Sequence, residues 1–337
     1  MGQGHDQTRE DTLMDNTIEW VVIGAGPAGI AAVGGLLDCG VDGQRIRWID
    51  PKFCVGDFGT LWRHVLSNTP AESFLKYCRT NAAFKFDNPR DPFFLERIPQ
   101  DKQCPLKLAA QPLEWITAGL KPRVQILEGE VTRLTPLGRA WLVTLASGET
   151  FGAQKVVLAM GAEPKRLQYP DLAAIPLPIA LDPNEIGRHV KPTDRLALFG
   201  DAQSAKSVLV TLKNIQFQKL YHFYHSESSV RRHIAVDDLA IAESLPTQPG
   251  HLIDIIPHCD KAIYAIGFER RPIRIDGLPD DFDYDRDSGI VAPGIYGLGI
   301  AFPEIMKHVM GKPEFKVTAI EPMIKGLRRR LPNWLRD

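Results

Sequence analysis

One alternation occurs twice along the chain: a short apolar run, a glycine-bearing turn, then a stretch with helical spacing. The first apolar run, Ile18 to Ile23, is rich in β-branched residues and suits a buried parallel strand. After it comes a helix expected from Pro27 to about Cys39, with Gly40 at its C-terminal cap, and RIRWID, a second strand ending in Asp50. The second occurrence is DRLALFGDAQSAKSVLVTL, with a strand from Leu196 to Phe199 and a helix after Gly200, followed by the strand pattern LYHFYHSE. Between the two lie strand-like runs at Val124–Leu134, Ala140–Leu145 and Phe151–Met160, punctuated by Gly138 and Ser147-Gly148. YPDLAAIPLPIALDP, with four prolines, reads as a linker. A last helix is expected from about Lys312, with Pro313 near its start and LRRR near its end. Strands alternating with helices define an α/β chain built on parallel sheets.

The first turn carries Gly24, Gly26 and Gly29 as G-x-G-x-x-G. Gly24 allows the tight turn, Gly26 lets a diphosphate approach the backbone, and Gly29 lets the helix lie close to the strand. Pro27 and Ala28 open the helix, whose free N–H groups and positive dipole end face the diphosphate. Asp50 stands 21 residues after Gly29, where a carboxylate accepts ribose hydroxyls. The acid disfavours a 2′-phosphate, so this turn should take FAD or NAD. A glycine-rich turn in an unrelated fold would lack this strand, helix and acid.

Composition narrows the choices. Hydrophobic residues are 44% and charged residues 24%, which excludes wholesale disorder. A formal net charge of −1 gives no global field for nucleic acid or an anionic membrane. No apolar run reaches the ~18 residues of a membrane span. Five cysteines without a Cys-x-x-Cys pair argue against a disulfide scaffold, a zinc ribbon or a dithiol centre, and suit a cytoplasmic location. Residues 1–16 are polar, lack an apolar signal core and read as a flexible tail.

VGDFGTLWRHVLSNTPAESFLKYCRT resembles a segment of the flavin-containing and N-hydroxylating monooxygenases. These are two-dinucleotide flavoproteins of the pyridine nucleotide-disulfide oxidoreductase superfamily, here without the dithiol. By that resemblance Leu61 and Trp62 line the flavin, and Asn68 reaches its reacting C4a edge. The other reading of Asn68 is local: Thr69-Pro70-Ala71-Glu72 has the form of a capping box with Pro70 as the first helical residue, and Asn68 shapes its entry. KVVLAMGAEPK resembles the segment where such chains leave the flavin domain, with Gly161 at the close approach. APGIYGLGIAF resembles their last flavin strand, with Gly299 and Ile300 where disulfide reductases carry Gly-Asp. The aromatic-rich stretch from about Phe74 to Leu120 is either a lid or packing against the flavin domain.

In the second turn Ala202 and Ala205 replace the second and third glycines. Gly200, Gln203 and Ser204 remain for a diphosphate, and the methyl group of Ala202 weakens the pattern. Arg231 and Arg232 suit the 2′-phosphate of NADPH through paired guanidiniums, with a solvated basic segment as the plain alternative. His222, His225 and His233 lack metal-ligand spacing and read as packing or surface residues.

The resemblance implies a FAD-binding Rossmann-like domain interrupted by a smaller NAD(P)H-binding Rossmann-like domain. The expected division is 17–170 and 271–337 for FAD, and 171–270 for the nicotinamide nucleotide. It further implies a FAD- and NADPH-dependent monooxygenase that oxygenates a small nucleophilic substrate with O2 through a flavin C4a-(hydro)peroxide. The absence of the monooxygenase F-x-G-x-x-x-H-x-x-x-[YF] fingerprint and the short chain leave two alternatives. One is a reductase passing electrons to a quinone, a flavin or a small carrier. The other is a non-catalytic FAD-binding scaffold or sensor. No metal, nucleic acid or membrane partner is expected, and the oligomeric state, a homodimer included, stays open.

Overall fold

The computed structural model describes residues 17–167, 169, 172–306, 315–317 and 320–337. The tail at 1–16 and residues 170 and 171, where the sequence divides the domains, lie outside them. The chain forms two compact units, one comprising residues up to Ala162 with Arg270–Asp337, the other Glu163–Glu269.

The first unit is built on β1 (Ile18–Ile23), α1 (Pro27–Asp38) and β2 (Ile46–Asp50). Next come β3 (Leu66–Pro70), α2 (Ala71–Cys78), β4 (Gln103–Pro105) and α3 (Leu106–Leu120). Strands β5 (Gln125–Glu128), β6 (Val131–Leu137), β7 (Ala140–Leu145) and β8 (Thr150–Leu158) follow. The run expected as one strand from Val124 to Leu134 is thus two, interrupted after Glu128; β2 pairs with the first part and β7 with the second. β1 lies between β2 and β8, parallel to both. Its side chains alternate between two cores. Trp20 and Val22 join Trp48 on one face, and Val21 and Ile23 join Ile49 on the other. Burial on both faces is why β1 is apolar throughout.

The aromatic-rich stretch is packing: Phe74, Tyr77, Phe84 and Phe86 are all buried in the core that covers α1. Arg90 lies 4.0 Å from the centre of the Phe86 ring and 4.5 Å from that of Phe93, and pairs with Glu96.

In the second unit, β9 (Ala173–Ala174), β10 (Arg195–Phe199), α4 (Gln203–Leu212), β11 (Lys219–Tyr224), α5 (Glu227–His233), β12 (Glu243–Pro246) and β13 (Lys261–Tyr264) make a parallel sheet of order β9-β13-β10-β11-β12. The expected linker is therefore partly ordered: Ala173 and Ala174 form β9, and Leu177–Ala180 is a short helix. Back in the first unit, β14 (Arg274–Ile275) joins β6, and β15 (Ile290–Ala292) and β16 (Ile295–Gly297) add to β8. The last helix, α6 (Ile320–Trp334), starts later than expected; Lys312 and Pro313 lie outside the described residues. Leu327–Arg330 falls in its middle, because Leu327 and Leu331 face α1 and Arg330 is buried against Glu304 and the carbonyls of Arg286 and Asp287.

Candidate functional site

Each unit has its own turn between the first strand and the first helix. In the first unit Gly24 has φ +107°, and a Cβ there would stand 2.4 Å from the Ala159 carbonyl oxygen. Only glycine fits that conformation and that space. The turn is fixed on three sides. Gly24 N–H donates to Ile49 O (2.7 Å), and its carbonyl accepts from the Trp48 indole (2.9 Å). A Cβ on Gly29 would lie 1.8 Å from that carbonyl oxygen, so α1 presses directly on the turn. Gly26 is the N-cap, and a Cβ there would meet nothing nearer than Gly56 Cα at 4.0 Å. No side chain caps α1 and no acid lies in its first turn, so its leading N–H groups are open to an anion. Tyr77 Oη donates to Pro27 O (2.6 Å), and Gly299 leaves only 2.7 Å between a Cβ and Ala28 Cβ.

Asp50 is 8% exposed. Its Oδ2 accepts from Ala25 N–H (2.7 Å), and its Oδ1 from Lys52 N–H (2.9 Å) and Phe53 N–H (2.7 Å). The carboxylate thus ties the end of β2 to the glycine turn. A carboxylate has about four acceptor positions, so capacity remains for a hydroxyl.

Beyond Asp50 the backbone is unusual. Phe53 (φ +51°), Val55 (φ +60°) and Gly56 (φ +57°) are all left-handed, and a β-branched residue there is a strained outlier. Asp57 anchors the segment that follows. Its carbonyl accepts from Thr60 and Trp62 N–H, and its carboxylate pairs with Arg271 through both oxygens (3.0 and 2.9 Å). Arg271 N–H in turn donates to Gly161 O (3.4 Å). Trp62 is half-buried, whereas Leu61 (44%) and Ile300 (41%) remain exposed for apolar side chains.

Asn68 lies on β3, which alternates. Ser67 is buried, with Oγ donating to Thr69 O (2.6 Å) and accepting from Cys104 N–H (3.0 Å). Asn68 points to the opposite, exposed face, and its amide takes no hydrogen bond among the described residues. The capping box is not formed. Pro70 is itself the N-cap, without a side-chain bond, and the Ala71 and Glu72 N–H groups donate to Lys102 O and Gln100 O. Carbonyls from the segment before β4 do the work expected of Thr69, and Glu72 pairs with Lys76 instead.

The second turn has the same plan with different residues. Gly200 has φ +138°, and a Cβ there would lie 2.3 Å from Ala265 O. His222 Nε2 donates to Gly200 O (2.6 Å). Trp48 pairs with Val22 and His222 with Leu198, each two residues before its glycine, so His222 is the counterpart of Trp48. Gln203 and Ser204 begin α4 behind the uncapped Ala202. Arg231 and Arg232 follow β11 on a helix. They sit in the last turn of α5, because Ser226 caps that helix by accepting from Ser229 N–H. Arg231 is committed to Glu227, and exposed Arg232 has no ion pair among the described residues.

His222 is fully buried, with Nδ1 beside Ser244 Oγ (3.1 Å), and burial pushes its pKa below the ordinary histidine value. The folded state therefore holds this imidazole neutral, while the unfolded chain takes up a proton below about pH 6.5. Stability from His222 is present above that pH and is lost as pH falls toward the lower folded value. Melting of the protein at about pH 7.5 and 5.5 should show an acid loss that His222→Gln reduces. An equal loss in both proteins would exclude the assignment.

The residues that sequence reasoning missed are Trp48, His222 and Tyr77, which hold the turns and the helix start behind the first, and Asp57 with Arg271, which anchors the segment carrying Leu61 and Trp62. The first two could have been found by aligning the two second strands. The Asp57–Arg271 pair spans 214 residues and leaves no local signal.

The residues present fit FAD in the first unit: an uncapped helix start, an open glycine at its N-cap, and exposed Leu61 and Ile300. A wholly parallel sheet in the second unit and a mixed sheet with a parallel centre (β5-β2-β1-β8) in the first, each with such a turn, are the Rossmann-like architecture of the flavoprotein oxidoreductases. The model of the family "Pyridine nucleotide-disulphide oxidoreductase" matches residues 18–210. The chain belongs to this family, whose members bind FAD and NAD(P)H. It is 27% identical to Monooxygenase AgnR1 of Paecilomyces divaricatus, over 94% of this chain and 97% of that protein. Its fold is similar to the flavin-containing monooxygenase of Stenotrophomonas maltophilia (TM-score 0.62, 15% identity, 95% of this chain and 98% of that one). It is also similar to the bacillithiol disulfide reductase of Staphylococcus aureus (TM-score 0.60, 11% identity, 95% and 98%). Among the described residues no helix is long and apolar enough to cross a membrane, and no cluster suits a metal ion.

Proposed function

We propose that the protein is a FAD-dependent, NADPH-using monooxygenase acting on a small nucleophilic substrate. FAD belongs to the unit of residues 17–162 and 270–337. Its diphosphate lies over Gly24, Gly26, Pro27, Ala28 and Gly29, its ribose near Asp50, and its ring system near Leu61, Trp62, Gly161, Gly299 and Ile300. The nicotinamide nucleotide belongs to residues 163–269, with Gly200, Gln203 and Ser204 at its diphosphate. Of the two arginines, Arg232 is the freer to meet a 2′-phosphate, since Arg231 is shared with Glu227. When bound, the flavin supplies hydride acceptance and oxygen activation.

The reading is carried by Asn68, an uncommitted amide held outward by a strand whose alternate residue, Ser67, is locked in place. The name of the 27%-identical relative supports the same reaction. The cysteines favour it over thiol exchange. All five are free, and burial pushes the Cys78 thiol up to about 12 and Cys259 up to about 11, which removes both as thiolates near neutral pH. Free cysteines also suit a reducing compartment such as the cytoplasm.

The test is rapid mixing of anaerobically NADPH-reduced protein with air-saturated buffer. A delay before the oxidised spectrum returns, with an absorbing species unlike either end state, supports oxygenation. Immediate return with one hydrogen peroxide per NADPH overturns it in favour of a reductase, and failure of NADPH to bleach the flavin leaves a scaffold. Asn68→Ala should keep its flavin and its rate of reduction, yet release peroxide about 10-fold faster once air is admitted. Unchanged peroxide release would remove Asn68 from the site.

A further inference from the structure

The two turns carry their acid in opposite places. Strand register aligns Val22 with Trp48 and Leu198 with His222, which makes Asp201 the counterpart of Ala25, and Tyr224 the counterpart of Asp50. In the first unit Ala25 N–H donates to the Asp50 carboxylate, from turn to strand end (2.7 Å). In the second the bridge runs the other way. Ser226 N–H, just beyond β11, donates to Asp201 Oδ2 on the turn (2.9 Å). The link between turn and second strand is kept, while the negative charge has moved from the strand end to the turn.

We propose that Asp201 is an affinity determinant of the second unit, its carboxylate opposing the diphosphate of a nicotinamide dinucleotide where the first unit has neutral Ala25. This rests on the reading that the second unit takes that nucleotide. The carboxylate stands one residue before the N-cap of the ten-residue α4, where a charge of its own sign would have to bind. No cation neutralises it among the described residues: it accepts from a backbone N–H, its carbonyl accepts from Ser229 Oγ, and its titratable neighbour His222 is buried and neutral near pH 7. Ala202, in place of a second glycine, acts in the same direction by adding a methyl group to the approach. The first turn has neither obstacle. The consequence is a division of labour, with FAD resident and NADP(H) readily exchanged.

Asp201→Asn keeps an oxygen for Ser226 N–H and removes only the charge. NADP⁺ binding to the FAD-loaded protein, followed by calorimetry, should tighten about 5- to 10-fold at low salt, as expected for a like charge near the surface. Because the repulsion is screened, the ratio of the two dissociation constants should fall toward one at about 1 M salt. A purely structural effect would leave that ratio independent of salt. Equal or weaker binding by the variant at low salt, or a salt-independent ratio, overturns the proposal and leaves the nucleotide reading intact. Binding by the variant alone supports it in its strongest form. If neither protein binds NADP⁺ or NADH, the nucleotide reading fails and the proposal with it. Should Asp201→Asn not fold, Asp201→Ser, which retains an oxygen acceptor, is read by the same criteria, and FAD content reports that the first unit is unaffected.

Discussion

Gly29→Ala should yield a protein that is purified without flavin and melts at least about 5 °C lower. The added methyl would lie 1.8 Å from Gly24 O and 2.8 Å from Gly24 C, both backbone atoms that cannot rotate away. Neither partner has room to move. Gly24 is held by Ile49 O and the Trp48 indole and lies against Ala159. Helix α1 is pressed from its other side, since a Cβ on Gly34 would meet Phe84 at 2.4 Å and one on Gly35 would meet Leu331 at 3.0 Å. Overpacking ordinarily costs about 1–3 kcal/mol, and a clash between two fixed backbones belongs at or above the upper end. The converse change in the second unit, Ala205→Gly, should cost only about 1 kcal/mol, because that turn already accepts a methyl. Thermal melting of the flavin-free protein and flavin content after purification measure both effects. A Gly29→Ala protein that keeps its flavin and its melting temperature would show that the helix can retreat from the turn.

Asp50→Ala should have the second large effect, and it separates two roles. If the carboxylate served only the ribose, its loss would weaken FAD binding and leave the flavin-free protein as stable as before. The structure gives it three backbone donors, Ala25, Lys52 and Phe53, in a nearly buried position. Leaving buried donors unsatisfied costs about 1–3 kcal/mol each, less where water reaches them. The flavin-free variant should therefore lose several kcal/mol in denaturant unfolding, and FAD affinity should fall at the same time. Asp50→Asn, which keeps one acceptor oxygen, should be intermediate in both. Unchanged unfolding of the flavin-free Asp50→Ala protein would return Asp50 to a ribose ligand alone.

The chain's pattern of apolar runs and glycines was enough to place β1, α1, β2, the second strand–turn–helix and the α/β class. Those features are local: a buried parallel strand must be apolar throughout, and a tight turn at φ +107° must be glycine. Where the outcome depended on a distant neighbour, the local pattern misled. Thr69 has the right spacing for a cap, yet carbonyls of residues 100 and 102 take that role. Leu327–Arg330 resembles a helix end, yet packing against α1 places it mid-helix.

By itself, then, the sequence determined that two strand–turn–helix units exist and that the first has glycines at all three positions that need them. Only the tertiary structure decided what holds each turn and the segment that follows Asp57. Trp48 and His222 reach the turn carbonyls from neighbouring strands, Arg271 reaches Asp57 across 214 residues, and the acid changes sides between Asp50 and Asp201. The reason is physical. Backbone conformation and burial are imposed residue by residue, whereas a hydrogen bond or ion pair between distant segments exists only once the sheet has brought them together.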